Sequence, residues 1–322
     1  MRLAATPENP VPPGAILSTA RGIDGAPLRA ARWVPPTAKR GTVAILHGRA
    51  EFIEKYYEVI GELLARGFAV ATIDWRGQGG STRQLRNRRK GHVDDFSLYE
   101  RDLSGLVDDV LGPSCPQPWF GLAHSMGAAI MLSIARAGRC PFERLVLTAP
   151  MIRLAGLSHP WLARGLAETL DTLGLGGLFA PGGGSASPSI LPFEGNVLTS
   201  DRARYARTAG MIITAPDVAL GWPTIGWINA AFRVMSEFED PDFAREITTP
   251  TLIIAAGADR VVDTRSAERF AAKMRTGRLI VVDGAQHEIL MERDRYRDLF
   301  WAAFDQFIPG VESERALGRR SA

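Results

Sequence analysis

The sequence is short of cysteine, of histidine, of long apolar runs and of any excess of one charge. Its two cysteines, Cys115 and Cys140, cannot build a disulfide framework, and a reducing compartment is the simpler setting. No stretch approaches the roughly 20 apolar residues that span a bilayer. The opening MRLAATPENPVPPG has no apolar run of signal-peptide length. Cytoplasmic residence is therefore expected, with peripheral contact at the inner membrane left open. The 38 basic and 35 acidic side chains leave a formal charge of only +3. A phosphate-binding surface needs a clearer basic excess, so nucleic acid is not expected as a partner. No His/Cys/carboxylate cluster has metal-ligand spacing, and no Walker motif occurs.

What is present is a large apolar fraction, 46% of 322 residues, enough for one α/β domain or for a core carrying an insertion. Residues 15–20 and 27–34 read as strands, with Asp24-Gly25 as the turn signal between them. Residues 42–46 form a short apolar, β-branched run ending at His47-Gly48. Residues 51–66 follow with Ile53, Tyr57, Ile60 and Leu64 at helical spacing. The pattern repeats: strand 68–73, helix 96–110, strand 119–123, helix 126–137, strand 144–148. Strands that are near-continuous apolar runs, alternating with helices, predict a mostly parallel sheet covered on both faces. The opening hairpin adds an antiparallel edge.

After Pro150 the rhythm breaks. Residues 151–245 hold helical patterns, a Gly-rich segment at 181–184 and scattered prolines, with no convincing strand. Alternation resumes with strand 251–255, helix 264–275, strand 279–282 and helix 296–307. The expected organisation is an α/β core in two parts, 15–150 and 246–308. A helical cap, 151–245, is inserted between them, and a flexible tail covers 309–322.

The strongest chemical signal is Ala123-His124-Ser125-Met126-Gly127, directly between a strand and a helix. A serine on such a turn stands clear of the sheet at the helix N-terminus, which suits a nucleophile. The flanking positions must be small because helix and strand pass close; Gly127 fits, and Ala123 replaces the commoner glycine. A serine nucleophile needs a base, and the base an orienting carboxylate. Of the five histidines, His47, His92 and His159 lie in other settings, and the side chain of His124 is expected to point away from its neighbour Ser125. His287 follows the last strand, at the same carboxyl edge of the sheet as Ser125, where active sites of open α/β sheets form. Two carboxylates follow the preceding strand. Asp259 is preferred as the acid, and Asp263, just before a helix, reads as an N-cap. Oxyanion donors are expected from the backbone N–H groups of Met126 and Arg49. The chemistry needs no cofactor and no metal.

Three other features compete for attention. Arg76-Gly-Gln-Gly79-Gly80-Ser81 follows a strand, but Thr82 stands where a dinucleotide fingerprint has its last glycine, and a basic polar run follows. The basic residues 86–90 read first as a solvated loop and second as a contact for anionic lipid headgroups. Leu162, Leu166, Leu170 and Leu173 share one helical face, read first as cap core and second as substrate wall.

The ordered set His47-Gly48-Arg-Ala-Glu51, Asp74-Trp-Arg76-Gly77-Gln-Gly79, Ala123-His-Ser125-Met-Gly127, Ala149-Pro150-Met151, Asp259 and His287 resembles the lysophospholipase/monoacylglycerol lipase group of α/β-hydrolases. The resemblance runs from about residue 15 to 308. Asn196-Val-Leu-Thr-Ser and Lys90-Gly-His-Val-Asp-Asp-Phe are similar to the bacterial lysophospholipase branch. The resemblance implies an α/β-hydrolase fold and a small-molecule lipid ester with one acyl chain as substrate. It carries Ser125 over as nucleophile, Asp259 as acid, His287 as base, and Arg49 and Met126 as oxyanion donors. Ser125 excludes the dehalogenase and epoxide hydrolase variants of the fold, which need Asp there. A short-chain carboxylesterase, peptidase, thioesterase or carbon–carbon bond hydrolase would keep it. The rival of another class is a binding protein without catalysis, which has no need of all three triad residues.

Overall fold

In a computed structural model that describes residues 2–157 and 159–308, the chain is built on one sheet of eight strands. These are β1 (Ala15–Arg21), β2 (Pro27–Trp33), β3 (Thr42–Leu46), β4 (Ala69–Ile73), β5 (Trp119–His124), β6 (Arg144–Thr148), β7 (Thr251–Ala256) and β8 (Gly277–Val282). Their spatial order is β1-β2-β4-β3-β5-β6-β7-β8. The β1–β2 hairpin is antiparallel and joins β4 antiparallel, and every pairing from β4 to β8 is parallel. β3, β4 and β7 are buried from end to end. That burial requires the unbroken apolar runs TVAIL, AVATI and TLIIAA, because a parallel strand has no wet face. Side chains alternate between the two faces. Val43 and Ile45 join Phe68, Phe120, Phe300 and Phe304 on one side, while Ala44 and Leu46 join Tyr99, Ile130 and Phe270 on the other.

The helices of the first part are α1 (Tyr57–Ala65), α2 (Ser97–Leu106), the one-turn α3 (Gly112–Ser114) and α4 (Met126–Arg136). The periodicity at 51–66 predicts one helix, but the chain makes a 3-10 turn at Ile53–Tyr56 before α1. The Ile53 N–H donates to the Asp74 carboxylate 2.9 Å away, which pins the start of that turn. Residues 107–111 widen into a π turn rather than ending the helix at 110. The expectation of an N-cap at Asp263 needs amending too. Asp263 precedes α9 (Thr264–Ala271), but its carboxylate accepts from the Ser266 hydroxyl and Arg269, not from a backbone amide. The last helix, α10, is Asp294–Phe307.

Between β6 and β7 lie α5 (Pro160–Leu170), α6 (Arg202–Thr214), α7 (Ile225–Glu237) and the short α8 (Phe243–Glu246). Among the described residues of this segment the only β pairings are isolated bridges, Leu154 to Val262 and Phe179 to Thr224. α7 merges with the main core through Trp227, Ala230, Phe232 and Met235. α6 sits on the loop after β3, where Met211 and Ile212 pack on Phe52. The leucine face that starts on α5 is not cap core: Leu162 is 52% exposed, Leu166 56%, and Leu173 in the turn that follows 68%. The loop at residues 81–91 is not a free solvated run either. Lys90 donates to the Gly177 carbonyl and the Arg89 carbonyl accepts from Gly221, while Arg86 and Arg88 stay exposed. The tail expected at 309–322 lies outside the described residues. Among the described residues, no helix is long and apolar enough to cross a membrane.

Candidate active site

The carboxyl ends of β3, β5, β7 and β8 meet at one edge of the sheet, and each delivers part of a single site. β5 turns directly into α4 at Ser125, whose φ of 50° and ψ of −111° lie where a side chain is strained. The turn is possible because α4 approaches β3 closely. A Cβ at Gly127 would stand 2.2 Å from the Leu46 carbonyl oxygen, so only glycine fits. Ala123 is fully buried and its methyl is accommodated. The strained residue is held by its N–H donating to the Thr148 carbonyl (3.0 Å). Its own carbonyl accepts from Ala129 (3.0 Å) and Met151 (3.1 Å).

Ser125, His287 and Asp259 are brought together. His287 Nε2 is 3.0 Å from Ser125 Oγ, and His287 Nδ1 is 2.8 Å from Asp259 Oδ2. Asp259 Oδ1 accepts from the Val261 and Val262 amides at 2.8 and 3.0 Å, fixing the carboxylate's orientation. Burial works against its charge, but the His287 hydrogen bond and these amides hold its carboxyl below the ordinary range. It therefore remains an anion that favours the Nδ1–H tautomer and frees Nε2 to accept from the serine. Asp263 is turned away onto Ser266 and Arg269.

The other histidines are otherwise engaged. His47 is wholly buried, with its carbonyl accepting from the Trp75 indole. His92 bridges Thr224 and Asp94. His159 precedes α5. His124 departs from its expected place. Its ring lies beside that of His287, centroids 4.8 Å apart, and it borders the same cavity. Burial pushes its pKa down to about 4, so it is neutral near pH 7. The glycine-rich loop after β4 is closed on itself. The Asp74 carboxylate accepts from Gly80 N–H and Arg29, and a Cβ at Gly79 would stand 2.2 Å from that carboxylate. It has no room for a nucleotide phosphate.

Arg49 and Met126 flank the serine from β3 and α4. The amides on either side of Arg49 are fixed by side chains, Gly48 N–H on Glu51 and Ala50 N–H on Gln78 Oε1 (2.7 Å). Met126 N–H opens α4, where the helix dipole favours negative charge. Sequence reasoning missed the polar cluster behind them. Glu51 also accepts from the Tyr56 hydroxyl and from Lys55 Nζ, and Lys55 reaches Glu288 at 2.6 Å. Burial opposes the charge on each, but the carboxylates of Glu288 and then Glu51 overcome it at Lys55 and raise its pKa, and Lys55 lowers that of Glu51; burial raises Glu288. The signals were the Glu51–Lys55 spacing of one helical turn and the position of Glu288 directly after His287.

Ser125 and His287 open into a cavity of about 610 Å³, within the size range of small-molecule sites. Met151, Leu154, Leu166, Leu170, Trp222, Trp227, Phe232 and Val262 line it, and Glu51, Lys55 and Glu288 are also among its lining residues. Leu166 and Leu170 thus lie on the wall rather than inside the inserted segment. Leu198, from Asn196-Val-Leu-Thr-Ser, also lines it, and its carbonyl accepts from Glu288 N–H at 2.8 Å.

The family described as serine aminopeptidase, S33, matches residues 37–294. The chain belongs to this family of α/β-hydrolases. Within it the chain falls in the lysophospholipase/monoacylglycerol lipase group. It is 34% identical over 299 residues to lysophospholipase L2 of Escherichia coli, covering 89% of this chain and 85% of that protein. It is 24% identical over 276 residues to the monoacylglycerol lipase of Mycolicibacterium smegmatis, covering 85% and 90%. The crystal structure of a soluble variant of the Saccharomyces cerevisiae monoglyceride lipase, in complex with a substrate analog, shares the S33 chain's fold. Its TM-score is 0.72 at 20% identity, covering 91% of this chain and 95% of that one.

Proposed function

We propose that this S33 hydrolase cleaves carboxylic esters of single-acyl-chain lipids by two-step acyl transfer. Ser125 is the nucleophile, His287 the base and Asp259 the acid that orients it. The observation that carries this reading is the Asp259–His287–Ser125 hydrogen-bonded chain at the wall of a largely apolar cavity. His287 Nε2 takes the Ser125 proton as Oγ attacks the ester carbonyl. The oxyanion is met by the N–H groups of Arg49 and Met126. The alcohol leaves with the proton from His287, and water then hydrolyses the acyl-enzyme by the same route. The E. coli and mycobacterial relatives, by name a lysophospholipase and a monoacylglycerol lipase, support esters of lipids with one acyl chain.

Residues 151–245 act as the cap over the core formed by 15–150 and 246–308. α5 places Leu166 and Leu170 on the acyl wall while Trp161 and Leu162 face outward. That exposed face fits peripheral contact with a lipid surface on the cytoplasmic side of the inner membrane. A fluorophosphonate probe tests the chemistry. The wild type labels, Ser125→Ala does not while keeping its circular dichroism spectrum, and labelling that survives the substitution refutes the assignment.

A further inference from the structure

Four charged side chains line the cavity: Arg49, Glu51, Lys55 and Glu288. Three of them satisfy one another, with Lys55 Nζ 2.7 Å from Glu51 and 2.6 Å from Glu288. Arg49 makes no salt bridge among the described residues. Its Nη2 reaches only the Gly221 carbonyl, at 3.2 Å. Its guanidinium carbon stands 5.1 Å from the centroid of the Trp227 ring. Its Nε is buried without a hydrogen-bond partner. The buried Tyr99 hydroxyl lies beside it and beside the Trp227 indole N–H. Burial lowers the Arg49 pKa to about 10, so it still carries its charge near pH 7. A half-buried cation with no salt bridge among the described residues, on the wall of a substrate cavity, is stabilised when the substrate brings it an anion.

The chemistry of the missing group follows from the donor set. A guanidinium fork matches the oxygens of a phosphate. The position also fits. Arg49 follows Gly48, where a Cβ would stand 3.3 Å from Ser125 Cβ, and Arg49 and Ser125 line the same cavity. In a lysophospholipid the phosphate stands one glycerol unit beyond the scissile ester. A monoacylglycerol has a neutral hydroxyl there and leaves the cation uncompensated. Resting on the ester-hydrolase reading above, we propose that the Arg49 side chain binds the phosphodiester of the leaving alcohol and makes lysophospholipid, rather than monoacylglycerol, the preferred substrate.

The test compares kcat/KM for a lysophosphatidylethanolamine and a monoacylglycerol of the same acyl chain, below their critical micelle concentrations, in wild type, Arg49→Gln and Arg49→Lys. The quantity read is the ratio of the two. Every variant keeps the backbone N–H of residue 49, so a loss common to both substrates cancels. The wild-type ratio should favour the lysophospholipid. Arg49→Gln should lower it by about tenfold to a hundredfold, the range expected for hydrogen bonds to a charged group. Arg49→Lys, which keeps charge but loses the fork, should fall between. A ratio unchanged by Arg49→Gln overturns the proposal. A second arm uses inhibition of p-nitrophenyl ester hydrolysis by sn-glycero-3-phosphoethanolamine and by inorganic phosphate. Competitive inhibition by the diester, weakened about tenfold in Arg49→Gln, supports the headgroup assignment. Equal inhibition by inorganic phosphate overturns it in favour of a general anion site. If the wild type cleaves neither lipid but still cleaves short esters, the lipid reading fails, and the inhibition arm still decides the role of Arg49.

Discussion

Ser125 occupies a backbone state that costs energy, and three hydrogen bonds and one glycine maintain it. Gly127→Ala should therefore be severe. Its methyl would meet the Leu46 carbonyl at 2.2 Å, a backbone atom with no freedom to move aside. A loss of about 3 kcal/mol or more is expected by urea unfolding, together with loss of fluorophosphonate labelling. The acid is a separate matter. Asp259→Asn keeps the shape but disturbs the tautomer of His287, so kcat should fall by roughly 10³–10⁴ with little change in stability. Asp263→Ala should leave kcat near the wild-type value and cost less than about 1 kcal/mol, since that carboxylate holds only Ser266 and Arg269. Steady-state kinetics on both variants, with the opposite ranking, would reassign the acid.

The elements differ in how much of their role the sequence reveals. β3, β5 and β7 are legible because a strand buried on both faces must be an unbroken apolar run, and each hands its site residue to the loop just beyond it. The Lys55–Glu288 contact is not legible, since it joins α1's approach to the loop after β8 across the whole chain. The leucines of α5 show another limit. Helical spacing reveals that they share a face but not what the face meets, and here it meets the cavity and the outside. The join between α6 and α1 yields a test. Burial alone would raise the Glu58 carboxyl, but hydrogen bonds from Arg204 and Arg207 and the charge of Arg297 bring it down to about 2 from 4.5. A depressed carboxylate stabilises the fold fully above its unfolded pKa and loses that contribution as pH falls toward the folded value. Glu58→Gln should cost about 1 kcal/mol at pH 7, allowing for its partial exposure. The gap to wild type in urea midpoints should close between pH 4.5 and pH 2. A gap that stays constant across that range would mean Glu58 is not what ties α6 to the core.

At the scale of the molecule, the proposed reading has the sheet edge supply a general ester-cleaving centre and the segment between β6 and β7 supply surface that selects among esters. The proposed triad and oxyanion donors come from the core, and most of the apolar wall, Leu166, Leu170, Trp222, Trp227 and Phe232, comes from the segment between β6 and β7, so chain-length preference is expected from there. Each CH₂ buried there contributes roughly 0.8 kcal/mol. Lengthening an acyl chain by four carbons should then add about 3 kcal/mol, or about a hundredfold in kcat/KM, until the cavity is filled. Removing wall area should flatten the profile, so Leu166→Ala with Leu170→Ala should lose more on long esters than on acetate. A diacyl lipid should be poor, because a cavity of about 610 Å³ leaves a second tail in water. The measurement is kcat/KM across p-nitrophenyl esters of increasing length, then across one-chain and two-chain lipids. A flat or falling profile beyond four carbons would leave a short-chain esterase. A steep profile that survives the leucine substitutions would move chain selection from α5 to the tryptophan side of the cavity, where α7 and the loop before it hold Trp222 and Trp227.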